Sequence, residues 1–98
     1  MNSLKIILES VEEQKFQTAK KDAKKASDDA NSYKESDSEY IGAHRLAETA
    51  NNLAAFHAKK LGKDKEHQLY FKIAKEHFTK QKSAGKKKWS TPGVNVSS

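Results

Sequence analysis

The sequence predicts an all-α fold: a small three-helix up-down-up bundle built on an antiparallel helical hairpin, followed by a disordered basic C-terminal tail. Three observations carry this expectation. Proline is absent until Pro92, and glycine is confined to Gly42, Gly62, Gly85 and Gly93, so little interrupts a helix over most of the chain. Apolar residues recur at intervals of three and four, and no run of five alternates with period two. The links between the periodic stretches are short, which makes consecutive helices antiparallel neighbours.

The first helix is expected over about residues 3–33, with Ser3 as a candidate N-cap. Leu4, Ile7, Leu8 and Val11 fall on one face, and the phase then slips by five to Phe16. Phe16, Ala19, Ala23, Ala26, Ala30 and Tyr33 continue with heptad spacing. Alanines at a seam let helices approach closely but bury only about one methyl each. Ser36 and Glu39 fit a capping box for a second helix over about 37–61. Its seam reads Tyr40, Ala43, Ala47, Ala50, Ala54, His57 and Leu61, and Leu46, Leu53 and Phe56 are expected to widen the buried stripe. Gly62 stands where a left-handed C-cap is wanted, and Asp64 can cap a third helix over about 64–84 that Gly85 closes. Tyr70, Ala74, His77 and Phe78 form its inward set. Residues 1–85 therefore read as one helical domain and residues 86–98, KKKWSTPGVNVSS, as a flexible basic tail.

Composition narrows the chemistry. The chain has 98 residues, 35% hydrophobic and 33% charged, so its core must be thin. The absence of cysteine excludes disulfides, thiolate metal sites and cysteine nucleophiles. No apolar stretch approaches the roughly 18–20 residues of a membrane span. The stretch Leu4 to Leu8 is too short, and too acidic afterwards, for a secretion signal, so no membrane partner and no secretion are expected. No cofactor is implied.

Charge is unevenly spread. Residues 1–50 carry 8 Lys/Arg against 10 Asp/Glu, and residues 51–98 carry 11 Lys against 3 Asp/Glu, giving about −2 and +8. Such polarity points to an anionic partner: nucleic acid or an acidic protein surface. On the third helix, Lys72, Lys75, Lys82 and Lys86 fall opposite the inward set, with Gln68 and Thr79 between them, a row able to follow a phosphate backbone. Lys86, Lys87, Lys88 and Trp89 form a basic arm with one aromatic, which either stacks on a base or folds back on the core. Only Arg45 suits bidentate guanine reading, and it lies outside the basic block, so contacts are expected to lack sequence preference.

No catalytic constellation appears, and a non-enzymatic protein is expected. There is no nucleophile elbow and no strand to carry a phosphate loop. Glu12-Glu13 and Asp28-Asp29 are adjacent, which on a helix points each pair about 100° apart. His57 and His67 flank Gly62 at equal distance and can approach in a hairpin, with Glu66 or Asp64 as further ligands, but the zinc-ligand spacings are missing and no metal is assigned. The alanine seam of the first helix offers a surface for a homo-oligomer.

The opening MNSLKIILES resembles the N-terminal peptide of capsid-internal proteins of T-even-like tailed phages. In that family a head protease cuts after Glu in a pattern of Leu or Ile, any residue, Glu, then a small residue. Ile7-Leu8-Glu9-Ser10 fits it, which places the cut between Glu9 and Ser10. The resemblance implies a basic protein packaged with DNA in a phage head, or delivered with it to the host cytoplasm. Family members of this kind can act on host defence enzymes, so the alternative is an interaction module, an inhibitor or adaptor docking an acidic host protein.

Overall fold

A computed structural model describes the backbone of residues 2–89 and the side chains of residues 10–85. Within it the chain is all-α, with α1 over Asn2–Ser32, α2 over Tyr40–Lys60 and α3 over Asp64–Trp89. Cross-helix contacts fix the directions. Glu12 meets His57 and Ser27 meets Asn51, so α1 and α2 are antiparallel. His67 meets Ala55, while His77 meets His44, so α3 is antiparallel to α2 and parallel to α1. The bundle is up-down-up with α2 at its centre, packed along both neighbours, while α1 and α3 touch through side chains.

The first link departs from the expected capping box. Asp37 closes a small turn: its carboxylate accepts from the Lys34 N–H at 2.8 Å, and its own N–H donates to the Lys34 carbonyl at 2.9 Å. Its carbonyl accepts from Tyr40 at 3.1 Å. The chain therefore enters α2 through Glu39 in a helical conformation without a side-chain cap, and Ser36 does not act as one. The turn takes the place of the cap, because Asp37 already supplies the local acceptors.

At the second link Gly62 follows the expectation, whereas Asp64 is the first residue of α3 rather than its cap, and Lys63 takes the cap position. Gly62 adopts φ 73°, the Gly62 N–H donates to the Lys59 carbonyl at 3.0 Å, and the Lys63 N–H donates to Ala58 at 2.9 Å. These two bonds are the Schellman pattern, which needs a left-handed residue at that point. The Lys63 carbonyl accepts from the His67 N–H at 2.9 Å and starts α3. Asp64 and Glu66 place negative charge in the first turn of α3, where the helix dipole favours it. At its far end α3 passes through Gly85 to Trp89, since one glycine weakens a helix by about 1 kcal/mol without ending it. Of the expected tail, residues 90–98 lie outside the described residues.

The core is a stack of methyl groups. Ala19, Ala23, Ala30, Ala47, Ala54, Ala58 and Ala74 are buried; on α2 the buried line runs through Tyr40, His44, Ala47, Asn51, Ala54 and Ala58, so that the expected seam positions Ala43, Ala50, His57 and Leu61 are half-buried. Phe16 is the large apolar side chain that is fully buried, and the Tyr70 ring meets it edge-on at 6.3 Å. The bulky flanking residues are not buried. Leu46 is 62% exposed, Leu53 48% and Phe78 49%, and Phe56 is half exposed as well. The expected widening of the stripe by Leu46, Leu53 and Phe56, and the inward place of Phe78, are thereby corrected. Alanine seams draw the helix backbones together, and no gap remains between them to receive a branched or aromatic side chain. Such residues come to rest beside the contact line, half in solvent.

Candidate nucleic-acid interface

Lys72, Lys75 and Lys82 project from the exposed side of α3, together with Gln68 and Thr79. None of the three lysines has an ion pair among the described residues. The Lys75 ammonium lies 5.4 Å from the centre of the Phe71 ring, a cation–π contact that leaves its charge outward. Beyond the first turn of α3, the acidic residue among the described ones is Glu76, which lines the cleft toward α1. Glu76 stands one turn from Lys72, and no ion pair joins it to the row among the described residues. Phe71 and Phe78 stand half exposed beside it, an aromatic element that the sequence reading had assigned partly to the core.

The backbone of Lys86, Lys87, Lys88 and Trp89 continues α3, which keeps Lys86 in register with the row; their side chains lie outside the described residues. At the other end, the Glu9–Ser10 bond falls within helical backbone. Ser10 is exposed, and the Glu9 side chain is outside the described residues.

The two histidines flanking Gly62 do not converge. His57 Nδ1 pairs with the Glu12 carboxylate at 3.3 Å, and His67 Nδ1 donates to the Ala55 carbonyl at 2.8 Å. Each is held by its own helix contact, and among the described residues no group of three potential ligands gathers. Glu12 is also approached by Lys15 and Lys60, both at 3.8 Å. Burial works to raise its carboxyl, but the His57 hydrogen bond and the lysine charges outweigh it and hold the group below 4.5.

The other two histidines make a buried polar chain that sequence reading did not find. Asn51 donates to the Ala47 carbonyl at 2.8 Å and to Ser27 Oγ at 2.9 Å. Ser27 Oγ lies 3.0 Å from His77 Nε2, and His77 Nδ1 lies 2.7 Å from His44 Nδ1. Ser27 accepts from Asn51 through one lone pair, which leaves its hydroxyl able to donate to His77 Nε2 or to accept from it. Between the two Nδ1 atoms one ring donates and the other accepts, and with either tautomer every member of the four-residue chain has a partner. Burial is the first cause that holds both rings below 6.5, and the Lys80 charge adds to it at each. His77 also lowers His44, while Glu76 and Glu48 pull His77 part of the way back. The visible signal was the placement of Asn51 and Ser27 beside the seams, where a helix with an alanine core has few other polar residues to bury.

The alanine seam of α1, considered as an oligomer surface, is covered by α2 within the chain. An open groove runs instead along the other side of α1 and α2, away from α3. Its floor includes Ala19, Ala26, Ala50, Leu46 and Leu53, and Val11 continues it toward the start of α1. Asp22, Asp28 and Asp29 stand on its α1 lip with Lys25, and Lys15 stands near the Val11 end. Among the described residues no helix is long and apolar enough to cross a membrane. No protein-family model, curated protein or solved structure matches this chain.

Proposed function

We propose that this protein contacts nucleic acid without sequence preference through the lysine face of α3, and that it serves as a head-internal protein packaged with DNA in a tailed phage. The observation that carries the reading is the row of Lys72, Lys75 and Lys82, all exposed and without ion pairs among the described residues. Ammonium groups spaced along a straight helix meet phosphates as point charges, and they discriminate little between bases. The phage setting rests on the resemblance of the first ten residues. In that setting the cut falls between Glu9 and Ser10. The first buried side chain of α1 among the described residues is Phe16, so the seam with α2 survives it.

A second reading, docking of an acidic protein, draws on Phe71 and Phe78. Exposed rings beside lysines are the composition of a protein-binding patch as well. Binding to random-sequence duplex DNA between about 50 and about 200 mM salt separates the two. The nucleic-acid reading expects affinity that falls steeply with salt. Changing Lys72, Lys75 and Lys82 together to Gln then lowers the slope of log K against log salt by about 2 to 3, at about 0.9 per phosphate contact. No binding at the low-salt end refutes that reading and favours the acidic protein.

A further inference from the structure

The groove along α1 and α2 and the exposed face of α3 match each other. On the groove, Leu46 and Leu53 are seven residues apart on α2, and Asp22 and Asp29 are seven apart on α1. On α3, Phe71 and Phe78 are seven apart, as are Lys75 and Lys82. Seven residues advance a helix by about 10.5 Å, so all four pairs share one repeat. The four apolar residues are between 47% and 62% exposed. The four charged ones have no ion pair among the described residues.

We propose that the groove is a docking site for α3 of a second copy of this chain. Phe71 and Phe78 enter between α1 and α2 against Leu46 and Leu53, and Lys75 and Lys82 lie against Asp22 and Asp29. This is the packing of a fourth helix in a bundle, with apolar knobs in heptad register and flanking charges of opposite sign. Lys25 and Lys15 on the same lip oppose a lysine-bearing helix, but with Asp28 paired to Lys24 at 2.9 Å the stretch between Asp22 and Asp29 keeps an acidic surplus of one, Asp22 and Asp29 against Lys25. The donor face and the receiving groove are different surfaces of one protomer, so the contact is heterologous and each docked copy leaves a groove and a helix face open. The product is a chain or a ring of protomers rather than a closed pair. This inference does not rest on the nucleic-acid reading. Where both hold, Lys75 and Lys82 are shared, and DNA competes with assembly.

The test is sedimentation velocity of the full chain without nucleic acid, from micromolar to millimolar concentration, with circular dichroism to confirm that each variant is folded. The wild-type chain is expected to grow in mass with concentration past the dimer. The paired reversal Asp22→Lys with Asp29→Lys is expected to weaken association by about tenfold or more, and so is Lys75→Asp with Lys82→Asp. The chain carrying all four changes regains association, because the signs are exchanged rather than lost. Restoration excludes an effect on folding alone, since a misfolded variant is not rescued by further exposed changes. A monomer at every concentration overturns the proposal and leaves the groove to a helix of another protein. Association that ignores either reversal, or that the fourfold variant fails to regain, overturns it as well.

Discussion

The buried histidine pair makes the stability of this bundle dependent on pH in a defined window. His44 and His77 are held below 6.5 in the fold, first by burial and then by the Lys80 charge and, for His44, by the neighbouring ring. In the unfolded chain both titrate near 6.5. A base with a lowered folded pKa contributes its stability above the unfolded value and loses it as pH falls through the folded one. Below 6.5, each ring that stays neutral costs about 1.4 kcal/mol of stability per pH unit, so two cost about 2.7. The geometry opposes relief, because one proton fits between Nδ1 atoms 2.7 Å apart and two do not. A domain of this size holds about 5–15 kcal/mol in total, so one pH unit removes a substantial share. Thermal melts by circular dichroism between about pH 7.5 and about pH 5 are expected to show Tm steady at first and then falling by about 10 °C or more per unit. His77→Gln is expected to lose about 1–3 kcal/mol at neutral pH, through disrupted partners, while roughly halving the slope below it. A Tm that stays level across the window, or a slope that His77→Gln leaves unchanged, refutes the reasoning.

Other consequences follow from burial and backbone. Phe16→Ala removes a fully buried ring and is expected to cost about 3–5 kcal/mol, whereas Leu53→Ala, half exposed, is expected to cost less than about 1 kcal/mol. Denaturant titration of both variants checks the ratio, and equal losses would place Leu53 in the core after all. Gly62→Ala meets no atom within 4 Å, so its cost is conformational alone, about 1–2 kcal/mol from the left-handed backbone, read from the same titration.

The fold was legible because its signals are local. Alanines at 3-4 spacing in α1 and α2, together with Gly62, specify the helices and the turn between α2 and α3, and the structure buries Ala19, Ala23, Ala30, Ala47 and Ala54 of the expected seams while Ala26, Ala43 and Ala50 stay half-buried. What sequence could not separate was which large apolar residues join the seam. Leu53 and Ala54 are neighbours on the same helix, and only the closeness of α1 decides that the smaller is buried and the larger half exposed. The exposed lysines of α3 were legible by exclusion, since they lie opposite Ala74 and His77. The Ser27–His77–His44 chain was not, because it joins three helices and depends on their relative translation.

That translation is the point at which an alanine seam is least informative. Sliding α1 along α2 by one heptad, about 10.5 Å, sets Ala19 and Ala23 in the places of Ala26 and Ala30, so the alanines hardly distinguish the two alignments, and on the apolar side Phe16, carried to the place of Ala23, marks the slip by its size. The polar residues do not repeat in this way. A one-heptad slip carries Lys20 to the place of Ser27, so that an ammonium group faces Asn51 and the hydroxyl partner of His77 is gone. Four side chains worth little as net stabilisation thus join Phe16 as fiducial marks of the bundle, the features that make one alignment of otherwise alanine-lined helices different from the next.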